Sequence, residues 1–386
     1  MLKLLHCGDC HLDSPMSGLD PDHAEARRRG LCDAFARSMR LAGERGCDAV
    51  LISGDLLDRP RASADTFEAI CAAITEFPGP VILSPGNHDP YIGGGTWCDR
   101  AAELPKNLYI FTSEKLDSFD LPELGLTVYG YAFCGERMDT SPLSGAGKLG
   151  ADTADGAARI RVLCAHADVD LPTSKYAPIS PREIADSGLR FAALGHVHTP
   201  PEPRRMGETT VAYCGFPEGR GFDELGEGGV SIVTLTDDGA VEIERVTVSR
   251  HRYLRIAVDI SGAADDPTAA RAVSEAVGGI DDPRHRSVRV TLTGDTDIEY
   301  MPNTERIEKL TEAGELYSLE VRDESMPLAG GAELAADMTV RGELYRILLE
   351  RMQNGDAETR RTAADALRIG LRALDGRPFL DDGGAN

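Results

Sequence analysis

The sequence predicts an α/β layered domain followed by a smaller α/β unit and a pair of helices, and three observations predict it. Over residues 1–250, short apolar runs of strand length alternate with amphipathic stretches of helical period. Each of the first three apolar runs ends in a cluster of Asp, Asn, His and Gly, as expected where loops at the carboxyl ends of strands gather polar groups. At Tyr253 the alternation begins afresh.

In order, the strands are Lys3 to His6, Ala49 to Ser53, Val81 to Ser84, Leu126 to Ala132, Arg161 to Ala165, Phe191 to Leu194, Thr210 to Tyr213, Val230 to Leu235 and Val241 to Val248. Helices fall at His23 to Arg45, Ser63 to Phe77 and Pro181 to Asp186. Gly135 to Ala158 is rich in Gly, Ala, Ser and Asp without apolar periodicity, which reads as an exposed inserted loop.

The second unit runs through strand Leu254 to Ile260, a loop holding Asp265-Asp266-Pro267, helix Thr268 to Val277, strand Ser287 to Thr293, helix Thr304 to Ala313 and strand Leu316 to Arg322. A Gly/Ala-rich stretch, Leu328 to Ala336, precedes two helical patterns, Thr339 to Gln353 and Ala357 to Leu374, joined by Asn354-Gly355-Asp356. Val340, Leu344, Ile347, Leu348 and Met352 form one apolar stripe, and Ala363, Leu367, Leu371 and Leu374 another. Such a helical hairpin packs on the body or on a partner helix.

Composition narrows the function classes. Hydrophobic residues at 41% and charged residues at 27% are ordinary for a soluble globular chain. No apolar run exceeds strand length, and Met1 leads straight into the first motif without a cleavable signal pattern, so a cytoplasmic location is expected. A net charge of -23 repels a phosphate backbone over most of the surface, so nucleic acid would have to be drawn in locally, by metals or by a partner. Nine cysteines without regular spacing, several inside apolar stretches (Cys71, Cys164, Cys214), read as reduced core thiols, and the lone CxxC of Cys7 and Cys10 lacks a second pair.

The chemistry lies in five motifs: Asp9-Cys10-His11, Gly54-Asp55 through Asp58, Gly86-Asn87-His88-Asp89, His166, and Gly195-His196-Val197-His198. A mixed set of carboxylate, amide and imidazole suits a pair of transition-metal ions better than calcium. Asp9 and His11 stand two apart, so an extended backbone points both to one side, and His196 with His198 repeats the pattern. Asp55 in a Gly-rich turn can bridge two ions. Two cations so placed acidify a water and neutralise charge on a phosphoryl group, leaving His88 as acid for the leaving oxygen, with Asp89 orienting it.

These five motifs resemble the signature of the calcineurin-like metallophosphoesterases. With Asp55-Leu56-Leu57-Asp58-Arg59 and Tyr213-Cys214-Gly215-Phe216-Pro217-Glu218, the chain looks like the DNA repair exonuclease branch, the bacterial SbcD nucleases related to Mre11. The resemblance implies a four-layer β-sandwich flanked by helices over residues 1–250, a capping domain for substrate or DNA recognition over 251–325, and a C-terminal helical hairpin at 337–376 that binds an ATPase. It implies Asp9, His11, Asp55 and His198 on one ion and Asp55, Asn87, His166 and His196 on the other. Asp58 stands behind the ligands, and His88 protonates the leaving group or steadies the phosphate. It implies Mn²⁺, a DNA substrate, an SbcC/Rad50-like coiled-coil ATPase as partner, which would also supply positive surface, and a homodimer.

Outside the motifs, Trp97 follows the Gly93-Gly94-Gly95 loop and either packs beneath it or stacks on an unpaired base. Arg204-Arg205, Arg250, Arg252 and Arg255 are basic clusters for solvent or phosphates, and Arg27-Arg28-Arg29 reads as an exposed helix face. The leading reading is a metal-dependent DNA exonuclease and endonuclease. The alternatives are a phosphoesterase on nucleotide-like small molecules and a scaffold that recruits an ATPase; an intact His88 disfavours the scaffold, and the length beyond residue 250 disfavours the small-molecule enzyme.

Overall fold

A computed structural model describes residues 1–150, 159–298, 300–327 and 332–376. The chain divides into two compact units, Met1–Arg252 and Tyr253–Asn386. The end of the inserted loop and the start of the Gly/Ala-rich stretch, residues 151–158 and 328–331, lie outside the described residues.

The first unit runs β1 (Leu2–Cys7), α1 (Pro21–Glu44), β2 (Ala49–Ile52), α2 (Ala64–Glu76), β3 (Val81–Leu83), α3 (Thr96–Asp99), β4 (Leu108–Ile110), β5 (Asp117–Leu121), β6 (Leu126–Gly130) and β7 (Ile160–His166). It continues α4 (Pro181–Asp186), β8 (Phe191–Gly195), β9 (Arg204–Met206), β10 (Thr209–Tyr213), β11 (Gly229–Leu235) and β12 (Val241–Thr247). Local chemistry sets the helix starts. Asp20 accepts the amides of Asp22 and His23 ahead of α1, Ser63 accepts the Thr66 amide ahead of α2, and Ser180 with Glu183 closes a capping box on α4.

Two six-stranded sheets result, in the orders β12-β11-β1-β2-β3-β4 and β5-β6-β7-β8-β10-β9. The strands that carry motifs are parallel within each sheet: β1 with β2 and β2 with β3 in one, β7 with β8 in the other. Strand alternation sorts their side chains into layers. Leu4, Leu51 and Ile82 of the first sheet meet Val128, Val162 and Phe191 of the second in a buried central layer. Leu5, Val50 and Leu83 face the other way, onto Leu31, Phe35 and Met39 of α1 and Ile70 and Ile74 of α2. Leu163, Ala165 and Leu194 cover the far face of the second sheet together with Ile184 of α4. The unit is thus a sheet-on-sheet sandwich flanked by helices.

In this unit three strands, β4, β5 and β9, are absent from the sequence reading. All lie on or near sheet edges, and β5 (Asp-Ser-Phe-Asp-Leu) and β9 (Arg-Arg-Met) are too polar or short to show an apolar period. Arg27 also departs from its expected exposed face. It is 3% exposed and donates to Glu218 Oε1 at 2.8 Å and the Gly219 carbonyl at 2.7 Å, while Arg37 reaches Glu218 Oε2 at 2.9 Å. A helix face polar in composition therefore docks on a buried carboxylate.

The second unit comprises β13 (Arg252–Asp259), α5 (Asp266–Val277), β14 (Arg286–Thr293), β15 (Asp295–Thr296), α6 (Thr304–Leu310), β16 (Ser318–Asp323), β17 (Met326–Pro327), α7 (Ala332–Ala336), α8 (Val340–Asn354) and α9 (Ala357–Leu374). A three-stranded sheet, β13-β14-β16, packs Val288, Val290 and Leu292 against Ala269, Val273 and Val277 of α5. The α8 stripe differs from expectation: Tyr345 and Leu348 are buried against Ala363, Leu367 and Leu371 of α9, whereas Val340 and Ile347 are exposed, as is Leu374. Arg368 is buried in α9, where it donates to Thr296 Oγ1 at 2.9 Å and Ser325 Oγ at 3.2 Å.

Candidate metal centre

The motif residues follow the carboxyl ends of β1, β2, β3, β7 and β8, where parallel strands bring loops from distant sequence to one edge. The backbone there is held in the left-handed region at Asp9 (φ 48°), His11 (φ 45°), Asp55 (φ 48°) and His196 (φ 99°). Each such residue costs on the order of 1–3 kcal/mol and persists only where its surroundings fix it. Glycines permit the crowding. A Cβ on Gly54 would lie 2.6 Å from His166 Nδ1, and one on Gly86 would fall on the Asp55 carboxylate.

The seven residues expected to hold metal form one connected cluster. His11 Nε2 faces His198 Nε2 at 3.1 Å, and His166 Nε2 faces His196 Nδ1 at 3.2 Å. Asp55 lies between the pairs, its Oδ2 3.7 Å from His11 Nε2 and 3.3 Å from His166 Nε2. Asn87 Oδ1 is 3.0 Å from His166 Nε2, and Asp9 Oδ1 is 3.7 Å from His166 Nδ1. Asp9, His11 and His198 form one group with ligand atoms within 4.8 Å of one another, and Asp9, Asp55 and His166 form another. Burial works against charge on His166, but the Asp55 carboxylate outweighs it and holds the imidazole up at about 9; Asp55 in turn is held well below the usual carboxylate range.

Two imidazole nitrogens turned on each other beside carboxylates can share one proton at most, so their lone pairs converge on a space better filled by a cation. His11 Nδ1 is buried and lacks an aligned hydrogen bond, the nearest carboxylate oxygen being Asp58 Oδ1 at 3.3 Å. The donor set of carboxylate, amide and imidazole fits a pair of divalent ions, with Asp55 placed to reach both.

The other three outward nitrogens have polar neighbours, the arrangement common behind metal-ligating histidines. His166 Nδ1 lies 3.0 Å from the Ser53 carbonyl, His198 Nδ1 2.8 Å from Glu224 Oε1, and His196 Nε2 3.6 Å from Asp168 Oδ2. Tyr176 stacks on His196 with ring centroids 4.6 Å apart. Glu224, Asp168 and Arg220 have no counterpart in the sequence reading. The one available signal was Arg220 and Glu224 standing four apart in a Gly-rich segment, a spacing that usually marks a solvated pair.

Asp89 takes a different place from the expected one. Its carboxylate accepts the amides of Asp55 (3.1 Å), Leu56 (3.0 Å), Leu57 (3.3 Å) and Gly86 (2.8 Å) together with Trp97 Nε1 (3.3 Å). It shapes the Asp55 turn and leaves His88 to another partner, because five donors converge on its buried oxygens. Burial and the neighbouring Asp55 push it up to about 7. His88 is exposed, with Nδ1 3.1 Å from the Asp58 carbonyl and its amide donating to Asp55 Oδ1 at 2.9 Å. Trp97 is fully buried, which removes it as a stacking platform.

Comparison with known proteins agrees with this geometry. The calcineurin-like phosphoesterase family matches residues 2–200, which contain all five motifs. A DNA double-strand break repair protein Mre11 of Halobacterium salinarum is 29% identical over 326 residues, covering 79% of this chain and 74% of that protein. A protein of the same description from Aeropyrum pernix is 30% identical over 284 residues (67% of this chain), and the uncharacterized metallophosphoesterase YhaO of Bacillus subtilis is 27% identical over 271 (68%). The chain spans 64% of the length of each of these last two relatives. With more than half of its residues matched and a donor set that fits two divalent ions, the chain belongs to the calcineurin-like phosphoesterase family and is a metal-dependent phosphoesterase.

Proposed function

We infer that this phosphoesterase is a DNA exonuclease and endonuclease of DNA repair. The observation that carries the reading is the extent of the likeness to the Halobacterium Mre11. It covers 79% of the chain, more than the Met1–Arg252 unit can supply, so it reaches past the metal centre into the second unit. A likeness owed to metal chemistry alone would stop with the motifs. Mn²⁺ is the preferred metal, since imidazole and carboxylate share the donor set. Residues 251–325 act as the capping domain and 337–376 as the ATPase-binding hairpin, and the reaction takes place in the cytoplasm with an SbcC/Rad50-like coiled-coil ATPase.

Asp9, His11, Asp55 and His198 would hold one ion, and Asp55, Asn87, His166 and His196 the other. When bound, the ions supply acidified water and positive charge against the phosphodiester. The remaining work falls to His88. A carbonyl oxygen only accepts, so the Asp58 carbonyl at 3.1 Å fixes the proton on Nδ1 and leaves Nε2 to carry the mobile one. As the P–O bond breaks, the imidazolium gives its Nε2 proton to the leaving oxygen and returns to a neutral tautomer that the Asp58 carbonyl still holds. The Asp55 carboxylate, which accepts the His88 amide at 2.9 Å, couples ring position to ligand position.

Purified protein with Mn²⁺ is expected to degrade linear single-stranded, double-stranded or hairpin DNA, and a chelator to stop it. Turnover of a chromogenic phosphodiester without cleavage of any of the three DNAs would overturn the nuclease reading in favour of a small-molecule phosphoesterase.

A further inference from the structure

Two of the metal-centre histidines each have a carboxylate behind the ring, and a single arginine joins the two carboxylates. His11 Nδ1 lies 3.3 Å from Asp58 Oδ1 and His198 Nδ1 lies 2.8 Å from Glu224 Oε1, each carboxylate behind a ring whose Nε2 faces the other ring at 3.1 Å. Arg220 spans the pair. Its Nη1 donates to Asp58 Oδ1 at 2.9 Å, its Nη2 and Nε donate to Glu224 Oε1 at 2.5 and 3.0 Å, and its own amide donates to Glu224 Oε2 at 2.8 Å. All three guanidinium nitrogens are therefore committed, and the fork geometry fixes one carboxylate relative to the other. Glu224 is 3% exposed.

A fixed positive charge opposes a nearby cation, yet Arg220 commits its guanidinium to Asp58 and Glu224, with Nη2 also 3.5 Å from His198 Nδ1. Without it, Asp58 and Glu224 would be a pair of like charges free to separate. We propose that Arg220 is a positioning residue: by clamping Asp58 and Glu224 it fixes the His11 and His198 rings and so sets the affinity of the ion they share, without touching ion or substrate. The other two histidines lean on different groups, His166 on the Ser53 carbonyl and His196 on Asp168. Arg220 therefore bears directly on one ion and reaches the other only through the Asp55 they share. This rests on the two-ion reading of the centre and not on DNA as the substrate.

The test is Mn²⁺ titration of the full chain by calorimetry and by electron paramagnetic resonance, with turnover of a chromogenic phosphodiester followed alongside. Wild type is expected to take up two ions. R220M should weaken one of them about 10- to 100-fold, the loss usual when a group behind a metal ligand is removed, and leave the other within about twofold. E224Q should weaken the same ion, and the double variant should lose less than the product of the two single losses, because both act through one clamp. R220K, which keeps charge but not the fork, should recover only part of the affinity. Activity lost by R220M at low Mn²⁺ should return as Mn²⁺ is raised, with the KM for substrate unchanged. Two unaltered affinities in R220M and E224Q would overturn the proposal, as would a raised substrate KM that Mn²⁺ does not correct, the mark of a phosphate-binding arginine. Should R220M fail to fold, as judged by its metal-free melting, R220K and E224Q carry the same test. Uptake of fewer than two ions by wild type would overturn the two-ion reading itself, and the nuclease assay is unaffected by either outcome for Arg220.

Discussion

Asp89 Oδ2 accepts the indole N–H of Trp97 at 3.3 Å while the same carboxylate holds the amides of Asp55, Leu56, Leu57 and Gly86, so the only tryptophan is wired to the turn that presents Asp55. Asp89→Ala leaves several buried donors without an acceptor and is expected to destabilise the protein by about 2–4 kcal/mol. Denaturant unfolding followed by Trp97 emission reads both the stability and the local opening. A native-like stability in D89A would show that the turn does not need this carboxylate.

His88 is exposed; it reaches the centre through the Asp58 carbonyl, its own amide and an edge-on ring contact with His11 at 4.7 Å between centroids. His88→Ala is therefore expected to lower turnover about 10²- to 10⁴-fold and to leave Mn²⁺ stoichiometry at two. Loss of a bound ion in H88A would assign His88 to the ligands instead of to proton transfer.

His6 gives a pH dependence of known sign. It is fully buried with Nε2 3.0 Å from Ser53 Oγ, and burial, with Arg245 nearby, lowers it to about 3 from an ordinary 6.5. Below pH 6.5 the unfolded chain takes up a proton here that the folded chain refuses until about pH 3. Its contribution to stability is whole above 6.5 and shrinks as pH falls through that window, by about 1.4 kcal/mol per pH unit at most. In chelator, the unfolding free energy of wild type minus that of His6→Leu should fall between pH 7 and 5; a flat difference would mean that His6 protonates in place.

Arg368 anchors α9 to the Thr296 and Ser325 hydroxyls, with Asp323 3.5 Å from its Nη1. Arg368→Met strips these buried groups of their donor and should lower stability by about 2–4 kcal/mol. Calorimetric melting measures that loss, and Mn²⁺ titration of the same variant should match wild type.

How legible the molecule was in its sequence depended on what kind of neighbour each residue needed. Strands such as Ala49–Ile52 and Phe191–Gly195 are apolar because both faces are covered, and they announce themselves. Asp9 and His198 sit in compact motifs just after strands, so their pattern survives without coordinates. Arg27, Arg220 and Glu224 are common charged residues in polar surroundings, and what distinguishes them is a partner 191, 162 or 26 positions away, at Glu218, Asp58 and His198 respectively. Asp89 was misread for the converse reason: adjacency to His88 suggested a partnership, while the strained turn aimed its oxygens at backbone amides. The polar edge strand β5 carries too little apolar signal for any period to register.

Asp9 accepts the amide of His196 at 3.0 Å across the two sheets, from a position 187 residues earlier. During synthesis, the first half of the chain can complete most of its own sheet yet presents a half-built cage until β8 emerges and docks. A product that ends before β8 therefore lacks His196 and His198 and cannot close the cage.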